Sequence, residues 1–147
     1  MKNAKQEKCR KVLKFRHFLL LEIYVRERII FSNKTKEEKM ESKYYNDEKL
    51  LILKLTEEID ECTVQKIRRK ADYEIERYMP RKVIFDFNSV TFMDSAGIGL
   101  IIGRYRIANM LGATIEIANI TDSIKRVLEL SGILKIVKIT ELEEMAG

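Results

Sequence analysis

Short apolar runs alternate with stretches of helical spacing between Leu50 and Ala118, and this alternation narrows the possible folds more than any other feature. The runs Leu50-Leu51-Ile52-Leu53-Lys54-Leu55, Val83-Ile84-Phe85-Asp86-Phe87 and Thr114–Ala118 are too short for core helices and are bounded by turn residues, so they predict strands. A tyrosine-rich segment at 43–46 and Asp47-Glu48 precede the first run and predict a hairpin. Thr63 opens a helical pattern with Val64, Ile67, Ala71, Ile75 and Tyr78 on one face, ended by Pro80. Its other face pairs Arg68 with Asp72 and Lys70 with Glu74 at i,i+4 spacing, which predicts a solvated face rather than a basic binding patch.

A second helix is predicted to reach about Met110 and stop at Gly112. A third starts at Thr121 or Asp122, carries Ile124, Val127 and Leu128 on one face and ends at Gly132. A last strand over Ile133–Ile139 and a helical turn over 141–145 complete the pattern. Strands alternating with helices after a hairpin predict an α/β domain: a small mixed β-sheet with helices packed on one face.

The net charge of +5 is unevenly distributed. Residues 1–39 hold 12 of the 28 basic and 5 of the 23 acidic side chains, a net of +7, whereas residues 40–147 carry a net of −2. The larger part therefore lacks the basic footprint of a nucleic-acid binder, and no nucleic acid is expected as a partner. Residues 1–39 follow neither helical nor strand spacing cleanly, and Glu22 cuts short the apolar run Phe18-Leu19-Leu20-Leu21, against a signal peptide. They are expected to form a basic extension outside the domain at 40–147, with two readings open. One is a leader translated ahead of a start at Met40, because one choice of codons for Lys36-Glu37-Glu38 spells a ribosome-binding site. The other is a weak amphipathic segment at a membrane surface.

The single histidine, His17, lies in that extension, so the rest of the chain has no imidazole for general-base catalysis or metal ligation. Cys9 and Cys62 have no zinc-type or CxxC spacing and are expected to be free thiols of a cytoplasmic protein.

The segment Asp94-Ser95-Ala96-Gly97-Ile98-Gly99 enters the second helix and holds the chemistry. Gly97, Gly99 and Gly103 invite a phosphate-loop reading, but their spacing is not G-x-G-x-x-G and no P-loop lysine follows. A nucleophile elbow needs glycine two residues before the serine, where Met93 stands. Ser95 is expected to cap the helix, with Asp94 complementing its dipole. Capping leaves the glycines unexplained, since each costs about 1 kcal/mol relative to alanine inside a helix. A face left bare at Gly99 and Gly103 implies close approach, by the sheet or by another protein.

The stretch Phe92-Met93-Asp94-Ser95-Ala96-Gly97-Ile98-Gly99, followed by Gly103-Arg104-Tyr105, resembles the signature of STAS-domain anti-sigma factor antagonists, most of all the sporulation branch acting on anti-sigma F factors. Leu55-Thr56-Glu57-Glu58-Ile59-Asp60 matches that family's L-T-G-E-L-D strand end, and Leu130-Ser131-Gly132-Ile133 its M-S-G-L. The resemblance spans about residues 41–140. It implies a STAS fold and a regulatory protein that is not an enzyme and uses no cofactor. Ser95 would be the phosphoacceptor. Unphosphorylated, the protein would bind its anti-sigma factor, a serine kinase of the histidine-kinase-like ATPase type, and release the sigma factor. Phosphorylation would end binding, and a PP2C-type phosphatase would reverse it. Glu58, Asp60, Asp94, Ser95, Ala96, Gly97, Gly99 and Gly103 would meet the partner. The alternative is a STAS interaction module of another stress-response or membrane-associated pathway. The chain departs from the family at Ala96, where a second serine is common, and at Glu57, where the family has glycine.

Overall fold

The computed structural model describes residues 39–56 and 58–142. The extension read over residues 1–39 falls outside them apart from Lys39. β1 (Met40–Tyr45) and β2 (Leu50–Leu55) form the expected antiparallel hairpin, with Met40 opposite Leu55 and Tyr45 opposite Leu50. Lys49 closes the turn from the left-handed region, φ 50°, its N–H donating to the Asn46 carbonyl at 3.3 Å.

The chain continues through α1 (Val64–Tyr78), β3 (Lys82–Asp86), α2 (Ser95–Met110), β4 (Thr114–Ala118), α3 (Asp122–Ser131), a 3-10 turn (Ile133–Lys135) and β5 (Lys138–Thr140). Strands β2 to β5 pair in parallel, so the order across the sheet repeats the order along the chain. Side-chain alternation then assigns the faces. Leu51, Leu53 and Leu55 of β2, Val83 and Phe85 of β3, and Ile115 and Ile117 of β4 are buried in one core. That core also holds Ile67, Ala71 and Ile75 of α1, Leu100 and Ile101 of α2, and Ile124 and Leu128 of α3, so the helices share one face of the sheet. Leu50, Ile84 and Ala118 form a smaller cluster on the other face.

The helix ends follow from local chemistry. Pro80 cannot continue α1, and Met79 ends it in the left-handed region with its N–H on the Ile75 carbonyl at 2.9 Å. Gly112 and Gly132, at φ 75° and 74°, end α2 and α3 in a conformation that side chains resist. Of the two candidates for the start of α3, Thr121 is the cap, its hydroxyl accepting the Ile124 N–H.

Two expectations are corrected. The strand read over Ile133–Ile139 is mostly a tight turn, with only Lys138–Thr140 paired to β4. Bonds from Lys135 to Gly132 and from Val137 to Ile133 roll the chain up and bury Ile133 and Val137 together. Their spacing of four is helical and was hidden within an apolar run. Cys62 is disulfide-bonded rather than a free thiol. The helical turn expected over 141–145 lies outside the described residues beyond Leu142, and Glu141 and Leu142 are not helical. Among the described residues no helix is long and apolar enough to cross a membrane.

Candidate functional site

Two loops leave the carboxyl ends of neighbouring strands and are joined by a short backbone ladder. After β2 the chain passes Glu58-Ile59-Asp60, and after β3 it passes Phe92-Met93-Asp94. Ile59 and Met93 pair as a parallel bridge. The Ile59 N–H donates to the Phe92 carbonyl at 3.1 Å, and the Asp94 N–H to the Ile59 carbonyl at 3.2 Å. Burial of Ile59 and Met93 fixes the register. The structure thus brings Glu58 and Asp60 alongside Asp94 and Ser95, across 35 residues of sequence.

Each loop then starts a helix by means of an aspartate. Asp60 Oδ1 accepts from the N–H groups of Cys62 and Thr63, both at 2.9 Å, at the start of α1. The buried Thr63 hydroxyl accepts the Asp60 N–H at 3.0 Å and lies 2.8 Å from the Glu58 carbonyl. Asp60 therefore holds the loop and α1 together, while the Glu58 side chain is exposed. At α2 the cap is Asp94, extended at φ −101° and accepting the Ala96 N–H at 2.8 Å. This corrects the expectation that Ser95 caps the helix. An aspartate one residue earlier takes the orphan N–H, and Ser95 becomes the first helical residue. Among the described residues the exposed Ser95 hydroxyl has no hydrogen-bond partner.

The three glycines have different environments. Gly97 is buried, and a Cβ there would overlap Met93 Cγ and Sδ and lie 3.2 Å from Ile59 Cγ2. It faces inward, so the partner-facing surface read from the sequence loses Gly97. Among the described residues no side chain or distant backbone atom comes within 4 Å of a Cβ built at Gly99 or Gly103, and neither has a left-handed backbone. Neither packing nor conformation requires glycine at either position. Ala96 is half-buried beside the core. Sequence reasoning assigned no role to Phe92, which is 53% exposed three residues before Ser95.

It also assigned none to Arg104, which is 2% exposed. Arg104 Nε lies 2.7 Å from Asp72 Oδ1 of α1, while Arg68 is 4.0 Å from the other oxygen of Asp72. The Nε–H does not point along the contact, which is therefore ionic rather than an aligned hydrogen bond. Burial pushes the Asp72 carboxyl above its ordinary pKa despite the opposing pull of Arg104, and burial lowers that of Arg104 despite Asp72. The signal was present in the sequence: Leu100, Ile101, Arg104 and Ala108 fall at core spacing, and a charge on that stripe calls for an opposite charge nearby. Among the described residues, no three His, Cys, Asp or Glu side chains are grouped to hold a metal ion.

A family model described as STAS domain matches residues 42–146. An anti-sigma F factor antagonist of Paenibacillus polymyxa is 32% identical over 94 residues, which are 64% of this chain and 80% of that protein. An anti-sigma-B factor antagonist of Listeria monocytogenes is 26% identical over 92 residues, 61% of this chain and 79% of that protein. Among solved structures, the anti-sigma factor antagonist SpoIIAA in its unphosphorylated form superposes with a TM-score of 0.62 at 24% identity, covering 71% of this chain and 89% of that one. The Bacillus cell fate determinant SpoIIAA in the phosphorylated form gives 0.56 at 24% identity, covering 71% and 92%. The superpositions show a shared fold, and the family match over residues 42–146 establishes that the chain belongs to the STAS domain family.

Proposed function

We propose that the chain is an anti-sigma factor antagonist, a regulatory binding protein in which Ser95 is a substrate position rather than a catalytic one. Unphosphorylated, it binds an anti-sigma factor, a serine kinase of the histidine-kinase-like ATPase type, and the sigma factor is released. The kinase phosphorylates Ser95 and binding ends, until a PP2C-type phosphatase removes the phosphate. The working unit is residues 40–147, acting in the cytoplasm, and residues 1–39 stand outside it. The relatives named as antagonists of anti-sigma F factor favour a sporulation pathway.

One observation carries the reading: the Ser95 hydroxyl is exposed and unbonded at the start of a helix whose cap is already supplied by Asp94. A phosphate at Ser95 adds nearly two negative charges where the dipole of α2 favours them, so the fold has no reason to open. The same charge would lie at the edge of the bare face of Gly99 and Gly103, beside the exposed carboxylate of Glu58. A partner matched to a neutral, close-fitting surface is then repelled. Ala96 leaves Ser95 as the only serine or threonine hydroxyl between Asp94 and Met110.

Incubation with the anti-sigma factor and ATP, followed by site-resolved mass spectrometry, is expected to find one phosphate, on Ser95. Ser95→Ala should stay unmodified and keep binding, and Ser95→Asp should bind at least ten-fold more weakly. Phosphate on another residue with binding intact would reject the mechanism. The relatives that antagonise anti-sigma-B factors support a second reading, the same module in a stress-response pathway. Affinity measured side by side for the two kinds of anti-sigma factor decides between them.

A further inference from the structure

α1 and α2 are tied at two points. The first lies at their starts, where the Ile59–Met93 bridge links the residue before Asp60 to the residue before Asp94. The second is the Asp72–Arg104 contact, twelve residues along from Asp60 and ten along from Asp94. At 1.5 Å per helical residue, Asp72 lies about 12 Å beyond the start of α1 and Arg104 about 14 Å beyond the start of α2. Two helices of similar span are thus closed into one frame, with Ser95 at a corner. A backbone ladder is rigid. A packed apolar contact between helices leaves room for sliding, whereas opposite charges drawn to 2.7 Å in a buried position tether the two helices at one height.

We propose that Asp72 and Arg104 are positioning residues for the Ser95 switch, fixing the rotation and register of α2 so that Ser95 and the bare face of Gly99 and Gly103 are presented in one orientation. The proposal rests on the function given above. Two further observations support it. The contact lies on the core stripe of α2, with Leu100, Ile101 and Ala108 around it, where an aliphatic side chain would serve folding alone. Burial works against each charge, raising the Asp72 pKa and lowering that of Arg104, so the pair carries a desolvation cost that an apolar pair would not. Arg104 therefore acts through the placement of α2 and does not itself meet the partner.

The test replaces both charges by apolar side chains of similar length, Asp72→Leu with Arg104→Met, alongside the milder Arg104→Lys. The double variant should melt at or above the wild-type temperature. Its amides at residues 94–99 should exchange at least ten-fold faster than wild type, and affinity for the anti-sigma factor should fall by about ten-fold. Arg104→Lys should lie between the two in exchange and affinity. A double variant that matches wild type in both overturns the proposal, and so does one that fails to fold, since the pair would then serve stability. If the wild-type protein binds no anti-sigma factor, the functional reading fails by itself, and the exchange measurement still decides whether the pair orders the Ser95 turn.

Discussion

α1 and α2 differ in length by one residue, follow neighbouring parallel strands and begin beside each other, yet they are built on different plans. α1 buries Val64, Ile67, Ala71 and Ile75 and turns Arg68, Arg69, Glu76 and Arg77 outward, but Glu74, expected on the solvated face, is buried at 7% exposure. α2 buries Leu100, Ile101 and Ala108 and likewise a charge, Arg104, and away from the core it carries Ser95 and two glycines that no described residue approaches. The first plan shows no bare outer surface. Both helices bury a charge; the second differs in its bare outer surface, which suits the partner contact proposed above.

The largest expected effect comes from α1. Ile67→Ala removes a fully buried side chain and should cost about 2–5 kcal/mol in urea unfolding. Partner affinity, measured where the variant is still folded, should stay within two-fold of wild type. A larger loss of affinity would mean that α1 is more than scaffold. In α2 the matching experiment adds atoms. Gly97→Ala presses a methyl group against Met93 and Ile59, both buried, and should cost about 1–3 kcal/mol. Because Met93 precedes Asp94, this variant should also weaken partner binding, which Ile67→Ala should not.

The two helix starts provide a smaller contrast. Asp60→Ala removes the acceptor for two N–H groups at α1, and Asp94→Ala the acceptor for one at α2. Each should cost about 1 kcal/mol by thermal or urea unfolding, within the range for lost caps. Asp60→Ala should be the more costly, since the loop at Glu58 and Thr63 loosens with it. Equal losses would show that Asp60 holds only the helix and not the loop.

The sheet was legible because its strands are short apolar runs between clear stops, and α1 because its apolar residues keep strict spacing. β5 was misjudged because Ile133 to Ile139 is apolar enough for a strand, whereas Gly132 commits the chain to a tight turn first. At the site, the serine and the bare glycines could be read from the motif. The cap could not be assigned, because Asp94 and Ser95 are both good capping residues and only the backbone shows which one is extended. Glycine alone does not say whether it is bare because something packs there, as at Gly97, or because nothing does, as at Gly99 and Gly103. The role of Arg104 needed its distant partner, since Asp72 was already accounted for by Arg68 on its own helix.

The smallest predicted effect on folding is the most informative, because its sign is reversed. Gly99→Ala and Gly103→Ala each place a methyl group in open space on a helix, which should stabilise the fold by about 0.5–1 kcal/mol. A chain selected for folding alone would carry alanine at both positions. The glycines carry that cost, and on the proposed function a partner surface within a methyl radius of the α2 backbone would account for them. Thermal unfolding of each variant should therefore show a gain, while affinity for the anti-sigma factor should fall by at least ten-fold. A gain in stability with affinity unchanged would separate the bare face from the interface and confine partner contact to the turn at Ser95. A loss of both together confirms neither, unless Gly99→Ser, which adds a hydroxyl to the same open space, repeats the drop in affinity at wild-type stability. That outcome would make close approach, rather than helix stability, the property that α2 preserves.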